Sequence, residues 1–538
     1  MKNTFTICVL LAGFLLVSID IAVAQDACEK LASAKMAGAT ITLAQTVGAG
    51  KFVGPPDPFG GAEASTIYKA LPAFCRITAE AKPTSDSDIK IEVWLPVSGW
   101  NGKLQGIGNG GFAGLIDFAQ LGTSVSKGYA ATGTDTGHTG SPIDAGWALG
   151  HPEKVADFGH RGIHEMTRVA KEAIHGFYGK DVQRSYFAGC SDGGREALME
   201  AQRYPADYDG ILAGAPANNW TRLLATAMWD TQALTLDAAS FIPPAKIPTI
   251  AAAVNAACDE LDGIRDGMIN DPRQCKFDPA TIECKAGEES DKCLTPAQVV
   301  SLKKIYVGPH DSHGHEVFPG YPPGAEVGEG GWGVWITGPA PLKSLMAFFG
   351  LGFYSNMVYD KSDWDYKTFT LEAGLKAAQE KTASALDAVD ANLTPFKARG
   401  GKLVLYHGWN DPAIPAISTV HYYESVIAKM GVHDADSFVR LYMVPGMQHC
   451  VGGPGADSFG QVGNLNFDDP QHSVDAVLEQ WVEKGMAPST IIASKNEGDD
   501  KQHAKMTRPL CTYPQTGKYK GSGDTNDATN FVCEAGKK

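Results

Sequence analysis

Residues 184–199 limit what this chain can fold into more than any other stretch. They read Arg-Ser-Tyr-Phe-Ala-Gly-Cys-Ser-Asp-Gly-Gly-Arg-Glu-Ala-Leu-Met. A short apolar strand enters a G-x-S-x-G turn, formed by Gly189, Cys190, Ser191, Asp192 and Gly193, and a helix leaves it. Strand, sharp turn and helix in that order describe a nucleophile elbow: glycines flank an apex too tight for bulky side chains, and the serine hydroxyl stays exposed. The N–H of Asp192 lies at the helix N-terminus, where backbone donors and the helix dipole favour a developing oxyanion.

The flanking sequence places this elbow in an alternating pattern. Residues 88–96 alternate like a strand, and residues 103–107 and 128–132 read as two more. Residues 162–178 have helical spacing, with Ile163, Met166, Val169, Ala170, Ala173 and Phe177 on one side. An apolar segment at 210–216 follows the elbow helix, and strand signals resume at 402–407 and 438–444. Strands alternating with helices predict an α/β fold: a mostly parallel sheet with helices on both faces, of the α/β-hydrolase type. Between 218 and 395 the alternation stops, and the text becomes rich in Pro, Gly and Trp. We read 25–217 and 396–538 as the catalytic core and 218–395 as an inserted lid. Most of the lid aromatics are expected to form its own core, and a minority facing Ser191 would shape a pocket for a flat aromatic substrate.

Bulk properties narrow the partners. Of 538 residues, 43% are hydrophobic and 20% charged, which describes a globular chain. The net charge of −15 argues against nucleic acid or an anionic membrane surface as partner. Residues 1–24 resemble a secretory signal: Lys2, an apolar run, and Ala22, Val23 and Ala24 as an A-x-A cleavage site. No other run approaches a membrane span, so the mature protein is expected to be secreted or periplasmic. Of the eleven cysteines, Cys8 lies in the signal, and an even number remains, as suits disulfides in an oxidising compartment.

A serine nucleophile needs a base, and the base needs an orienting acid. In α/β-hydrolases these follow in the order Ser, acid, His, on loops after late strands. Asp411 follows the strand at 402–407, and His449 follows the one at 438–444. His407, His138 and the pair Asp135/His138 are rivals, and chain order disfavours the pair. Cys190 directly precedes Ser191, and Cys450 directly follows His449. A disulfide between them would hold two Cα atoms about 5.5 Å apart and bring the nucleophile and base together. The alternative, a thiol nucleophile at Cys190, is opposed by export and by the elbow position of Ser191. The glycine loop at 108–114 would supply the second oxyanion donor, from Gly110 or Gly111.

Together, Gly-Cys-Ser-Asp-Gly-Gly at 189–194, His-Gly-Trp-Asn-Asp at 407–411 and Gly-Met-Gln-His-Cys at 446–450 resemble the tannase and feruloyl esterase family. That family also contains the mono(2-hydroxyethyl) terephthalate hydrolase of plastic degradation. The resemblance covers essentially the whole mature chain. It implies a Ser191–His449–Asp411 triad, a disulfide beneath it, and a structural calcium ion in the lid, with no organic cofactor. By nearness and resemblance the other cysteines would pair as Cys28–Cys75, Cys258–Cys275, Cys284–Cys293 and Cys511–Cys533. The calcium segment is 258–268, where Asp259, Asp262 and Asp266 stand among turn-forming glycines and the carbonyls of Ile264 and Met268 are close by. It is not an EF-hand, because the twelfth position from Asp259 is Asn270. From the residues alone, a run of Asp-Gly turns is an equal reading; the resemblance tips it to calcium. The expected activity is hydrolysis of esters of aromatic acids, feruloyl first, with galloyl or terephthaloyl esters as alternatives. A peptidase and a non-catalytic exported binding protein are readings of other classes.

Overall fold

The computed structural model describes residues 25–55, 61–288, 290–461, 469–497 and 500–536. Residues 1–24, where a signal is expected, lie outside them. The chain forms two compact units. The first takes the described residues up to Ile107, with Gly114–Thr139 and Arg161–Phe187; the second takes Gly108–Ala113, Gly140–His160 and the chain from Ala188 onward.

In the first unit the strands are β1 (Ala39–Val47), β2 (Phe74–Ala81), β3 (Ile89–Pro96), β4 (Lys103–Ile107) and β5 (Ala130–Thr134). They lie in the order β1-β2-β3-β5-β4. Pairing is antiparallel from β1 through β5, and β5 pairs with β4 in parallel. The alternation at 88–96 forecasts one wet face, yet β3 is buried along almost its whole length. Glu92 is tolerated there because Arg76 Nη2 lies 2.5 Å from Oε1 and Trp94 Nε1 donates to Oε2 at 2.9 Å. The helix α1 (Gly162–Tyr178) packs on β5 and β3. Ile163, Met166, Val169, Ala170 and Ala173 are buried as expected, but Ile174 takes the place assigned to Phe177, which stays half-buried near the helix end.

In the second unit β7 (Gly210–Gly214), β8 (Lys402–Gly408) and β9 (Val439–Val444) are parallel and buried from end to end, apart from Lys402 and Arg440. A strand buried on both faces reads as a continuous apolar run, as Ile-Leu-Ala and Leu-Val-Leu-Tyr do here. The strand β6 (Arg184–Cys190) leads into α2 (Asp192–Arg203), whose residues are buried from Asp192 to Ala201. Between β7 and β8 the described residues hold helices and turns but no named strand. The main helices there are α3 (Trp220–Thr235), α4 (Ile247–Cys258), α5 (Pro296–Val307), α6 (Leu345–Gly352) and α7 (Leu371–Leu386). Trp220, Phe349, Phe353 and Tyr354 join one apolar cluster of this insert, and Trp332, Tyr321 and Ile250 another. Beyond β9, two hairpins that the sequence reading did not identify close the chain, β10 (Thr490–Glu497) with β11 (Asp500–Cys511) and β12 (Gln515–Tyr519) with β13 (Phe531–Ala535).

All five expected disulfides are present: Cys28–Cys75, Cys190–Cys450, Cys258–Cys275, Cys284–Cys293 and Cys511–Cys533.

Candidate active site

Ser191 stands between β6 and α2 with φ +67° and ψ −121°, a left-handed conformation that a serine adopts only when its surroundings impose it. Those surroundings are backbone. A Cβ on Gly189 would lie 2.4 Å from the carbonyl oxygen of Gly193, and one on Gly194 would lie 2.3 Å from that of Gly214. The Ser191 N–H donates to Gly214 O at 3.0 Å, while Ser191 O accepts from Gly194, Arg195 and Ala217. Asp192, as the first residue of α2, has an N–H without an intrahelical acceptor.

Asp411 and His449, the expected acid and base, arrive on the loops after β8 and β9. Asp411, in the loop after β8, is fully buried. Its Oδ1 accepts from the N–H groups of Ala413 at 2.7 Å and Ile414 at 2.9 Å. Its Oδ2 faces His449 Nδ1 at 2.7 Å and His407 Nε2 at 3.0 Å. Burial alone would raise the Asp411 carboxyl, but His449 and His407 together hold it below the usual carboxylate range. With Nδ1 engaged, Nε2 of His449 is the ring atom left for a serine proton. The rival His407 is thereby placed as a second partner of Asp411, its Nδ1 bonded to Thr419 Oγ1 at 2.7 Å.

The Cys190–Cys450 bridge spans 6.0 Å between Cα atoms and 260 positions in sequence, and it ties the two neighbours of Ser191 and His449. Cys450 also has a left-handed φ of +65°. The insert holds the same loops from the other side. The Asn410 amide donates to Gly324 O, Gln448 Nε2 donates to Val327 O at 2.7 Å, and the Trp335 ring meets His449 edge-on at 5.0 Å.

Ser191 lines a pocket of about 340 Å³, counted out to open solvent, with Gly111, Asp192, Trp220, Trp335, Met346 and Phe349 among its walls. Gly111, at φ +61°, has no room for a Cβ because Pro142 O would lie 2.3 Å from it. Gly110 has open space around its Cα and does not line the pocket. Asp135 takes a different part. Its carboxyl accepts from Lys90 N, Gly137 N and Thr139 Oγ1, and burial pushes it up to about 6 despite those bonds. Sequence reasoning missed Arg195 and Glu196, both fully buried on α2. Glu196 shares one helix side with Asp192, Glu200 and Arg203, at spacings of four and seven, so the linear pattern held no sign that it is buried.

At 258–268 Asp262 is pushed up to about 6, by burial first and then by the charges of Asp266 and Asp259. Carboxylate oxygens are the donor type that a hard cation takes. Asp259 Oδ1 accepts from Gly267 N, and Asp266 Oδ2 pairs with Arg508 at 2.8 Å. Among the described residues no three His, Cys, Asp or Glu side chains are gathered closely enough to hold a metal by themselves. Backbone carbonyls such as those of Ile264 and Met268 would have to complete any shell.

Comparison with known proteins gives this geometry its context. The family model for tannase and feruloyl esterase matches residues 75–534. An uncharacterised esterase of Xanthomonas campestris pv. campestris is 38% identical over 535 residues, covering 95% of this chain and 91% of that protein. A probable feruloyl esterase B-2 of Aspergillus terreus is 31% identical over 466 residues, covering 85% and 86%. The crystal structure of feruloyl esterase B from Aspergillus oryzae superposes with a TM-score of 0.86 at 29% identity, over 95% of this chain and all of that one. The chain belongs to the tannase and feruloyl esterase family, and with it to the carboxylic ester hydrolases of α/β-hydrolase fold.

Proposed function

We propose that the protein is an exported serine esterase that hydrolyses esters of aromatic carboxylic acids, feruloyl and related hydroxycinnamoyl esters foremost. The observation that carries this reading is the pocket, where Ser191 opens onto walls made of Trp220, Trp335, Met346, Phe349 and aliphatic side chains. A flat ring buries well against such walls. A terephthalate monoester has a second carboxylate that needs a cation, and among the described residues that line the pocket none is Arg, Lys or His. A galloyl ring has several hydroxyls that this lining would leave unpaired. The five disulfides suit an oxidising compartment, and among the described residues no helix is long and apolar enough to cross a membrane.

In the proposed mechanism Ser191 Oγ attacks the ester carbonyl carbon while His449 Nε2 takes its proton. Asp411 orients the ring and stabilises the imidazolium. The tetrahedral oxyanion accepts from the N–H groups of Asp192 and Gly111. Collapse breaks the bond to the alcohol, which leaves with the proton from His449. Water then repeats the sequence on the acyl-enzyme and releases the aromatic acid and free Ser191.

Two measurements test this reading. A fluorophosphonate should label wild type at Ser191 and leave S191A unlabelled, which separates an esterase from a silent binding protein. In a panel of methyl ferulate, methyl gallate and the terephthalate monoester, methyl ferulate should show the highest kcat/KM. A preference for either of the others would replace the substrate assignment, and no labelling of wild type would remove the mechanism.

Calcium is part of the same proposal. Asp259, Asp262 and Asp266, with the carbonyls of Ile264 and Met268, would hold it, and the ion would offset their repulsion and stiffen the segment beside Cys258–Cys275. All catalytic steps stay on Ser191, His449 and Asp411. Added Ca²⁺ should raise Tm in wild type and not in D262N, with kcat unchanged where both are folded.

A further inference from the structure

Glu196 is fully buried on α2, and the mechanism above does not use it. Its Oε2 accepts from the backbone N–H of Asn109 at 2.8 Å, across 87 positions of sequence. On the other side, the Asn109 carbonyl accepts from the N–H of Gly193 at 2.8 Å. The contact is tight: a Cβ on Gly193 would lie 2.8 Å from Asn109 O, and one on Gly108 would lie 2.8 Å from Gly193 Cα and 3.2 Å from Glu196 Oε2. One residue is thus gripped through both its backbone groups by the helix that carries the nucleophile.

The grip reaches the oxyanion donors through peptide geometry. A trans peptide is planar, with its N–H directed opposite to its C=O. Fixing the Asn109 carbonyl therefore fixes the direction of the Gly110 N–H. The next peptide is held by Ala113 N–H on Gly110 O at 2.9 Å, which fixes the Gly111 N–H, and Phe112 N–H on Pro142 O at 2.7 Å ends the turn. Without Glu196 the Asn109 N–H would lose this acceptor in a partly buried place, at a cost that shifting the loop would relieve.

We propose that Glu196 is a positioning residue that holds the loop at 108–111 so that its backbone N–H groups meet the oxyanion formed at Ser191. The proposal rests on the serine-esterase reading. Glu196 acts as an acceptor. Burial, and then the charge of Asp192, push its carboxyl well above the usual range against the pull of Arg195, and its Oε1 has no partner among the described residues. Arg195 is itself taken up by Asp192 Oδ1 at 2.6 Å and by the carbonyls of Gly159 and Phe158. An amide in place of the acid preserves an acceptor oxygen on a side chain of the same size.

The test compares two variants of matched size, E196Q and E196M, in the full-length protein on methyl ferulate. E196Q should stay within about threefold of wild type. E196M should lose kcat by on the order of 10²-fold with KM nearly constant, as when an oxyanion donor is misplaced. Affinity for a trifluoromethyl ketone, which forms a tetrahedral anion on the serine, should fall in parallel in E196M and hold in E196Q. Wild-type kcat in E196M, a fall in kcat without the fall in ketone affinity, or equal damage in E196Q would overturn the proposal. A wild type inert to fluorophosphonate and to every ester would instead remove the underlying reading, so the two failures are distinct.

Discussion

At the elbow the wall of the pocket is backbone; in the insert between β7 and β8 it is side chain. Gly189, Gly193 and Gly194 pack against carbonyl oxygens and Cα atoms at distances where any Cβ collides. The left-handed φ of Ser191 is held by hydrogen bonds to Gly214 and Ala217. Opposite it, Trp335 and Phe349 meet as rings 6.3 Å apart, and Met346 fills space beside them in the same pocket. Close-packed backbone has one solution and admits no substitution, whereas a packed side-chain wall accepts others of similar volume. On the proposed mechanism the chemistry would sit on the rigid side and the choice of acyl group on the adaptable one.

The largest expected effect is at the rigid side. S191A should lower kcat by about 10⁴-fold or more while leaving Tm unchanged. Turnover close to the wild-type rate in S191A would mean that the elbow is scaffold only. Next, D411N should cost about 10⁴-fold in kcat through loss of the His449 tautomer. The same variant carries a pH signature. Asp411 is lowered in the folded state, so it adds stability above its unfolded value of about 3.9 and loses that addition as pH falls through the folded value. Acid unfolding followed by circular dichroism should show wild type weakening below about pH 4, and D411N should lack that part of the loss.

The two walls are separated more finely by stability. G194A puts a methyl group 2.3 Å from Gly214 O and should destabilise by at least about 3 kcal/mol in chemical denaturation. F349L on the insert should cost less than about 1.5 kcal/mol and shift relative kcat/KM among aromatic esters. If G194A were tolerated and F349L were not, the contrast between the walls would be reversed.

Much of the site was legible because its parts are written locally. The elbow is five adjacent residues, and Asp411 and His449 each follow a continuous apolar strand. The dipeptides Cys190-Ser191 and His449-Cys450 carry their own clamp, which the structure closes at 6.0 Å. Other parts were hidden. Glu92 looked like the wet face of β3 until Arg76 and Trp94 met it. Glu196 looked like an ordinary helix charge, because its partner Asn109 lies 87 positions away. Two hairpins after β9 went unidentified.

The linear pattern was enough for the alternating α/β plan, the tight turn at Ser191, the chain order Ser191, Asp411, His449, and the adjacency of Cys190 and Cys450 to two of them. Each of these follows from the chemistry of neighbouring residues and the periodicity of the backbone. Tertiary structure alone decided that His407 joins His449 on Asp411, that Gly111 rather than Gly110 faces the pocket, and that a buried carboxyl grips Asn109. The physical reason is that burial and hydrogen-bond partnership depend on which distant segment arrives at a side chain, and a linear pattern holds no record of that arrival.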